Sequence, residues 1–350
     1  MFSQRKPSIV DVNSANQPPD GADRLSPLST PQRIVVLAFI ASAIWYLSWR
    51  VGSFNPDALI FFRMGDFYEL FYDDAIVAAE ALEITLTSRG KDRQGENIPM
   101  AGVPHHAAAG YLARLLEKGF KVAICEQLVD PATVKGIVPR GVVRVATPGL
   151  TLDPDALDAR TDNFLVAIHA STPRGLAALE LSRSDLRACV VDDDAALIAE
   201  LVRLEPRELL LAEVLPELEA MLRKVLPKTC VRRVSPIEDA DAALAAFLGE
   251  EEAPRAIHEV EAAGRHAAAL ALRYAQDAQP GAKVRVARLV RYDASDRLVL
   301  DEVAVRNLEL VRTLGGDRKG SVLHLLDRTR TSMGARALRR HHAAAPREAR

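Results

Sequence analysis

The sequence predicts an α/β fold with mixed sheets that becomes entirely helical toward its carboxyl end. Short apolar segments such as Ala58–Met64 and Phe164–His169 have the length of buried strands. Helical spacing of apolar residues follows, as in Ala107–Lys118, which stops at Gly119. From about Asp241 onward the chain is Ala-rich and helical in pattern. Strands in series, followed by strands that alternate with helices, indicate mixed sheets flanked by helices.

The first α/β segment opens with the strand Ala58–Met64, which is broken by Gly65-Asp66. Asp73-Asp74 is predicted to cap and begin a helix that runs to about Leu82. The polar segment Ser88–Glu96 predicts a loop, and Pro99–Pro104 predicts a rigid turn. The remaining elements predicted here are the helix Ala107–Lys118 and the strands Lys121–Glu126 and Gly141–Thr147.

A linker is predicted over Thr151–Arg160, where acidic turns surround a proline. The second α/β segment begins with strands in meander order and then alternates helices with strands. Its predicted elements are the strands Phe164–His169, Leu176–Leu181, Leu186–Val191, Glu208–Leu211 and Val231–Val234 and the helices Ala195–Leu204, 216–226 and Ala262–Asp277. Asp301–Arg340 is predicted to be helical with a basic surface.

Composition is that of an ordinary globular protein, with 49% hydrophobic and 26% charged residues and a net charge of −2. Residues 306–350 carry eleven Lys and Arg against four Asp and Glu, a local excess that suits either phosphate binding or a solvated helix face. Three distant cysteines and scattered histidines argue for a reducing compartment and against a metal site.

The amino-terminal region differs in composition from the rest. Residues 1–30 are rich in Ser, Pro, Asn and Gln and are expected to be disordered. Ile34–Trp49 then runs sixteen residues without a charge. As a helix it would span roughly 24 Å, short of the ~30 Å hydrocarbon core, although Trp and Tyr cluster at one end as in an interfacial belt. A membrane anchor is therefore a minor alternative for this segment, and no cleavage site for a signal peptide follows it.

The most informative motif is Phe67-Tyr68-Glu69. Side chains two positions apart share a face only when the backbone is extended. An extended Phe67-x-Glu69 would present a flat apolar wedge and a hydrogen-bond acceptor to one small target, such as a nucleobase. The alternative for Phe67 is a buried strand residue.

Motifs of several enzyme classes are missing from the sequence. It has no G-x-x-x-x-G-K-[ST], G-x-S-x-G or H-E-x-x-H motif and no dinucleotide fingerprint. The nearest approach to a phosphate loop, Gly315–Ser321, has a glycine between Lys319 and Ser321. This chain is therefore not predicted to be an enzyme by itself.

The chain resembles the amino-terminal part of the MutS family of DNA mismatch-recognition proteins. The similarity extends over about 290 residues, and its segments occur in the family's order. They are Phe61–Phe71, Ile98–Pro104, Val122–Gln127, Asp130–Ala132, Lys135-Gly136, Val143–Gly149, Arg306–Leu310 and Leu326–Gly334.

This resemblance implies three consecutive domains after the disordered residues 1–30 and an atypical apolar segment at 31–54. A mixed-sheet mismatch-recognition domain is expected at 55–150, and a linker at 151–160. An RNase H-like α/β connector domain follows at 161–280, and the start of the all-α core, or lever, domain at 281–350. The ATPase domain of the family, with its ATP and Mg²⁺, is expected beyond residue 350, so the chain resembles an amino-terminal fragment without cofactors of its own.

The resemblance also implies residue roles. Phe67 matches the aromatic residue that stacks on a mispaired or unpaired base from the minor groove, and Glu69 matches the carboxylate that hydrogen-bonds that base. Basic residues on polar or turn segments of the recognition domain are expected to contact the DNA backbone. These are Arg89, Lys91, Lys135 and Arg140.

Partners expected from the family are double-stranded DNA with mismatches or small loops, a second MutS-like protomer and a MutL-like protein. The expected location is the cytoplasm, in association with the nucleoid. An alternative function stays open at this point, in which a degenerate fragment acts as a protein-interaction module without DNA activity, either soluble or tethered to a membrane by Ile34–Trp49.

Overall fold

The structure is a computed structural model that describes residues 57–91, 95–129, 139–150, 161–294, 304 and 307–343. The predicted disordered segment 1–30, the apolar segment 31–54 and the predicted linker 151–160 lie outside these residues. Within the described residues, no helix has both the length and the apolar character needed to cross a membrane.

The first sheet contains six strands in the order β3-β4-β2-β1-β5-β6. The sheet is mixed, because β1 pairs with β5 in parallel while all the other strand pairs of this sheet are antiparallel. The strands are β1 (Ala58–Met64), β2 (Phe67–Phe71), β3 (Thr87–Lys91), β4 (Asn97–Pro104), β5 (Lys121–Gln127) and β6 (Arg140–Ala146).

Two helices cover one face of this sheet, α1 (Tyr72–Leu82) and α2 (Ala108–Glu117). Their apolar residues pack with those of the strands into one core that includes Phe61, Leu70 and Leu115. We call the opposite side of the sheet the far face. One end of the far face, including Ala58, packs against the second sheet's domain.

The second sheet also has six strands, in the order β11-β10-β7-β8-β9-β12. Its strands β7, β8 and β9 form an antiparallel meander, and the other pairings are parallel. The strands are β7 (Leu165–His169), β8 (Arg174–Glu180), β9 (Asp185–Val191), β10 (Glu208–Leu211), β11 (Cys230–Arg233) and β12 (Arg288–Arg291).

Helices cover both faces of the second sheet. The pair α3 (Asp194–Leu204) and α4 (Pro216–Val225) packs on one face, and α5 (Ala240–Glu259) and α6 (Ala262–Asp277) pack on the other. Because both faces are buried at the centre of the sheet, β7, β8 and β10 are largely continuous apolar runs rather than alternating ones. The small residues of α6 allow a close approach to the sheet, and a Cβ at Gly175 on β8 would lie 2.0 Å from the backbone oxygen of Ala263.

Two short helices follow the second sheet, α7 (Val322–Leu326) and α8 (Ser332–Ala343). The prediction that Asp301–Arg340 is helical therefore holds for 322–326 and 332–340, but it is wrong for 308–321, which form turns and bends. Gly316 and Gly320 adopt positive φ values of 89° and 99°, which the right-handed helix does not allow. Ser321 then caps α7 by accepting from the N–H of His324 at 3.2 Å.

The predicted α/β class with mixed sheets is confirmed, but four local features of the sheets and of α1 also differ from the prediction. Ser88–Glu96 was predicted as a loop and includes most of β3, whose residues are all exposed and so lack a buried alternation. Pro99–Pro104, predicted as a turn, belongs to β4. Pro99 lies beyond Met100, the last residue of β4 that pairs with β2, so on that side its missing N–H costs no hydrogen bond. The strand β12 was not predicted at all.

The fourth correction concerns Asp73-Asp74, which lie in the first turn of α1 but do not cap it. Asp74 Oδ2 instead accepts from the backbone N–H of Ile60 on β1 at 2.9 Å. Burial raises the pKa of Asp74 above its ordinary value, and the hydrogen bond from Ile60 opposes that rise. The carboxylate therefore ties the helix to the sheet.

Candidate nucleic-acid interface

A tight hairpin positions Phe67 at the start of β2. The loop between β1 and β2 has only two residues, since Met64 pairs with Phe67. Gly65 takes a positive φ of 60° at the first loop position, as two-residue hairpins with a leading glycine do. The strand that begins directly after this loop therefore starts with Phe67 at its exposed end.

Strand alternation separates the aromatic residues of β2. Tyr68 and Leu70 point into the helix-covered core, with 6% and 0% exposure. Phe67 and Glu69 point to the far face, which confirms the prediction that they share one face of an extended strand. Phe67 is 47% exposed, so the alternative of a buried strand residue is excluded.

The surface between Phe67 and Glu69 has no covering side chain on the adjacent strand. Gly102 on β4 pairs directly with Glu69. A Cβ at Gly102 would lie 3.9 Å from Phe67 Cδ1 and 3.9 Å from Glu69 Cγ. The glycine therefore leaves backbone as the floor beside both side chains, and nothing in the sequence pattern pointed to its role.

Glu69 has an ion-pair partner that sequence reasoning assigned elsewhere. Arg89 Nη1 donates to both carboxylate oxygens of Glu69, at 2.7 and 2.6 Å. The Glu69 side chain is only 12% exposed, whereas that of Arg89 is 45% exposed. The structure thus brings Arg89 to the predicted base-contacting carboxylate.

Two other residues predicted to contact the DNA backbone, Lys91 and Arg140, lie on different strands, β3 and β6. Lys91 is exposed at the end of β3, and Lys135 lies outside the described residues. The Arg140 guanidinium, on β6, lies 5.4 Å from the ring centre of Phe62, and Arg140 Nε donates to the backbone oxygen of Arg63 at 3.1 Å. Arg89, Lys91 and Arg140 therefore lie on strands rather than on the polar or turn segments that were predicted.

Tyr68 fastens the strand that carries the site. Its hydroxyl donates to Glu126 on β5, and its ring lies 5.6 Å from that of Phe61 and 5.4 Å from that of His105. Burial, and then the hydrogen bond and negative charge of Glu126, raise the pKa of Tyr68 above its ordinary value. A rigid β2 holds Phe67 and Glu69 in fixed relation on the far face.

A buried carboxylate joins this sheet to the second one. Glu208, at the start of β10, is fully buried. Its Oε2 accepts from Thr147 Oγ1 at 2.5 Å and from the Gly149 N–H at 3.0 Å. Its Oε1 accepts from Arg232 Nε at 2.5 Å and from the Tyr274 hydroxyl at 2.7 Å. We call Glu208 and these four donors the Glu208 hub.

The Glu208 hub extends to Asp57, the residue that precedes β1 of the first sheet. Arg232 Nη1 donates to Asp57 Oδ2 at 2.9 Å, and Nη2 donates to the Gly119 carbonyl at 2.8 Å. Lys121 Nζ lies 3.2 Å from Asp57 Oδ1 and 5.3 Å from the ring centre of Tyr274. The hub therefore fixes the end of the far face that is remote from Phe67.

No described group of three or more His, Cys, Asp or Glu side chains is arranged to hold a metal ion. Burial raises the pKa of the Cys125 and Cys189 thiols to about 12. These thiols are too well buried to serve as nucleophiles or ligands. The far face presents an exposed aromatic ring beside a hydrogen-bonding carboxylate.

Comparison with known proteins assigns every described domain to one family. The family model of MutS domain I matches residues 47–155, that of MutS domain II matches residues 163–284, and that of MutS domain III matches residues 303–343. The three matches follow one another along the chain and include the first sheet, the second sheet except β12, and the last two helices.

Individual relatives agree with the domain matches. The DNA mismatch repair protein MutS of Sorangium cellulosum (strain So ce56) is 46% identical over 303 residues, which is 82% of this chain and 33% of that protein. The protein of the same name from Anaeromyxobacter sp. (strain Fw109-5) is 46% identical over 287 residues, 81% of this chain and 32% of the relative. That of Myxococcus xanthus (strain DK1622) is 42% identical over 309 residues, 83% of this chain and 33% of the relative.

The chain spans about a third of the length of these curated relatives. Within that third, the matches to domains I, II and III fall in turn on the first sheet, the second sheet and the last two helices. The chain belongs to the MutS family.

Proposed function

We propose that this chain binds mismatched double-stranded DNA, with Phe67 as a wedge at the defect and Glu69 as the hydrogen-bond partner of the displaced base. The observation that carries the proposal is the exposed Phe67 ring beside Glu69 on one face of a fixed strand. An exposed aromatic ring next to a hydrogen-bonding carboxylate offers a stacking surface and an acceptor to the same ligand, and side chains held on a strand are positioned more precisely than on a loop.

The wedge selects defects by the energy of deforming DNA. Inserting an aromatic side chain between base steps unstacks them and kinks the duplex, at a cost of about a few kcal/mol per step. A mispaired or unpaired base stacks less well than a paired one, so the cost is lower at the defect. Stacking of a base on an aromatic ring returns about 1–3 kcal/mol.

Glu69 adds discrimination against well-paired DNA. A carboxylate near the groove is repelled by phosphates and gains little when no donor of the base is available. At a defect, a displaced base can offer an N–H to the carboxylate, which offsets its desolvation. Phe67 then responds to deformability while Glu69 responds to an available donor.

Contacts to the DNA backbone are proposed for Lys91, Lys135 and Arg140. Such contacts position a protein on the duplex without reading its sequence. Lys91 is an exposed strand-end lysine. The guanidinium of Arg140 lies against Phe62, a far-face residue that pairs with Glu69.

The domain proposal follows the same family. We propose a mismatch-recognition domain at 55–150, an RNase H-like connector at 161–280 and the start of a helical lever domain at 281–350, with a linker at 151–160. The helices on both faces of the second sheet support the connector assignment. In the whole protein, a second MutS-like protomer, a MutL-like partner and an ATPase domain with ATP and Mg²⁺ complete the function, in a cytoplasmic, nucleoid-associated setting.

The test compares the affinity of the chain for matched and mismatched duplexes by fluorescence anisotropy. The Phe67→Ala chain is expected to lose the preference for the mismatched duplex and to retain salt-sensitive non-specific binding. Tyr72→Ala is the matched control, because Tyr72 is an aromatic residue of similar exposure (41%) in α1, outside the site. An unchanged preference in Phe67→Ala, or an equal loss in Tyr72→Ala, contradicts the assignment of the wedge.

A further inference from the structure

Arg89 forms an ion pair with Glu69, the carboxylate proposed to contact the displaced base. We infer that Arg89 is a positioning residue: it orients the Glu69 carboxylate and offsets its charge for recognition of a displaced base, and it is not a phosphate contact. This inference rests on the proposed function of Glu69. It changes the role that the sequence predicted for Arg89.

The geometry shows that the pair is built across the sheet. Arg89 lies on β3 and Glu69 on β2, and β4 runs between these strands. Arg89 Nη1 reaches both carboxylate oxygens, at 2.7 and 2.6 Å. The contact links residues 20 positions apart in the chain, so it depends on the folded sheet and not on local sequence.

This contact reduces the freedom of a flexible side chain. A glutamate has several rotatable bonds, and ordering it costs up to about 2 kcal/mol of side-chain entropy. The ion pair with Arg89 orders the Glu69 side chain before a ligand binds, so binding does not have to. The Glu69 carboxylate is then held beside the Phe67 ring, with both side chains within 3.9 Å of one Cβ position at Gly102.

The contact also leaves acceptor capacity for a base. An ionised carboxylate has about four lone-pair sites, two on each oxygen. A single guanidinium nitrogen on both oxygens occupies one site of each. One site on each oxygen is left for a base N–H, so orientation by Arg89 and recognition by Glu69 are compatible.

Charge favours the same arrangement. A bare carboxylate that approaches a duplex meets the phosphate charges on both strands. The guanidinium, 2.6 Å from one carboxylate oxygen, compensates part of that charge and so eases the approach to every duplex, while its orientation of Glu69 acts only where a displaced base offers a donor. An arginine engaged in this way contributes to discrimination through Glu69, whereas a phosphate contact would strengthen binding to every duplex alike.

The test is a double-mutant cycle with the full chain, read as the ratio of its affinities for mismatched and matched duplexes. Arg89→Ala is expected to lower this ratio by about two- to fivefold, the effect of losing one partly exposed ion pair. In a chain that already carries Glu69→Ala, the same substitution is expected to leave the ratio unchanged. Lys91→Ala is the reference for a phosphate contact and should weaken both duplexes equally, and Arg223→Ala, on the exposed side of α4, should change neither.

Two results would overturn the role of Arg89 while leaving the proposed function intact. In one, Arg89→Ala weakens both duplexes equally, as Lys91→Ala does, which makes it a phosphate contact. In the other, the ratio falls by the same factor with and without Glu69, so that Arg89 acts independently of it. If the unmodified chain shows no preference for the mismatched duplex, the proposed function and the role of Arg89 both fail.

Discussion

Replacing Glu208 with glutamine tests whether the Glu208 hub holds the two sheets together. The substitution keeps the shape of the side chain and removes its charge. Each carboxylate oxygen accepts two hydrogen bonds, so the amide nitrogen replaces an acceptor of two donors in either orientation. A hydroxyl can rotate and accept instead, but the N–H groups of Gly149 and Arg232 cannot.

The expected loss follows from that count. One N–H donor is left facing another donor in a fully buried site, at about 1–3 kcal/mol. The loss of negative charge beside Arg232 adds to this, although Asp57 still accepts from Arg232 at 2.9 Å. We expect Glu208→Gln to lower the free energy of unfolding by about 2–4 kcal/mol.

The assay is urea-induced unfolding followed by far-ultraviolet circular dichroism. Tyr274→Phe removes one donor and leaves three on Glu208, so it should cost only about 1 kcal/mol. Glu259→Gln is the control, because Glu259 pairs with Arg255 at the surface, and no measurable change is expected there. The reasoning is refuted if Glu208→Gln unfolds at the same urea concentration as the unmodified chain, or if Tyr274→Phe costs as much as Glu208→Gln.

Two further predictions use the packing and the thiols. Gly175→Ala should destabilise the chain by about 3 kcal/mol or more, because the new Cβ would lie 2.0 Å from the Ala263 backbone oxygen. Gly110→Ala, exposed in α2 with no atom within 4 Å of its Cβ, should instead stabilise the chain by about 0.5–1 kcal/mol. Thermal unfolding of both variants checks this, and a change in stability of the same sign in both would contradict the close packing at Gly175. Burial raises the pKa of Cys125 and Cys189 from 9.0 to about 12, so both thiols stay protonated in the folded chain and ionise on unfolding above pH 9. Stability should therefore fall as the pH rises from 9 toward 12. The urea concentration at the unfolding midpoint, measured at both ends of this pH range, checks the prediction. If the loss of stability is just as large when both cysteines are replaced by alanine, the thiols are not its cause.

The central strands of the second sheet were predicted well because they are buried on both faces, whereas its edge strand β12, with an exposed arginine at each end, was missed. A strand between two helical layers is a continuous apolar run, and Glu208–Leu211 was located residue for residue. The antiparallel edge of the first sheet was predicted poorly. All residues of β3 are exposed, and β4 contains two prolines, so neither strand has the apolar pattern on which strand prediction depends.

The candidate site divides in the same way. Phe67 and Glu69 could be placed on one face from their spacing alone, because a period of two is a local property of an extended backbone. Arg89 could not be assigned to Glu69, since the two residues belong to strands that are not neighbours. Gly102 likewise showed its role only through the register of β4 against β2.

By itself, the sequence determined the fold class, the resemblance to the MutS family and the extended Phe67-x-Glu69 motif, because each depends on residue order or on local periodicity. The tertiary structure decided which charges meet. Glu208 accepts donors from residues 24 to 66 positions away, and Arg89 holds Glu69 across an intervening strand. Such pairings arise from strand order, register and packing of the two domains, which no local pattern in the chain encodes.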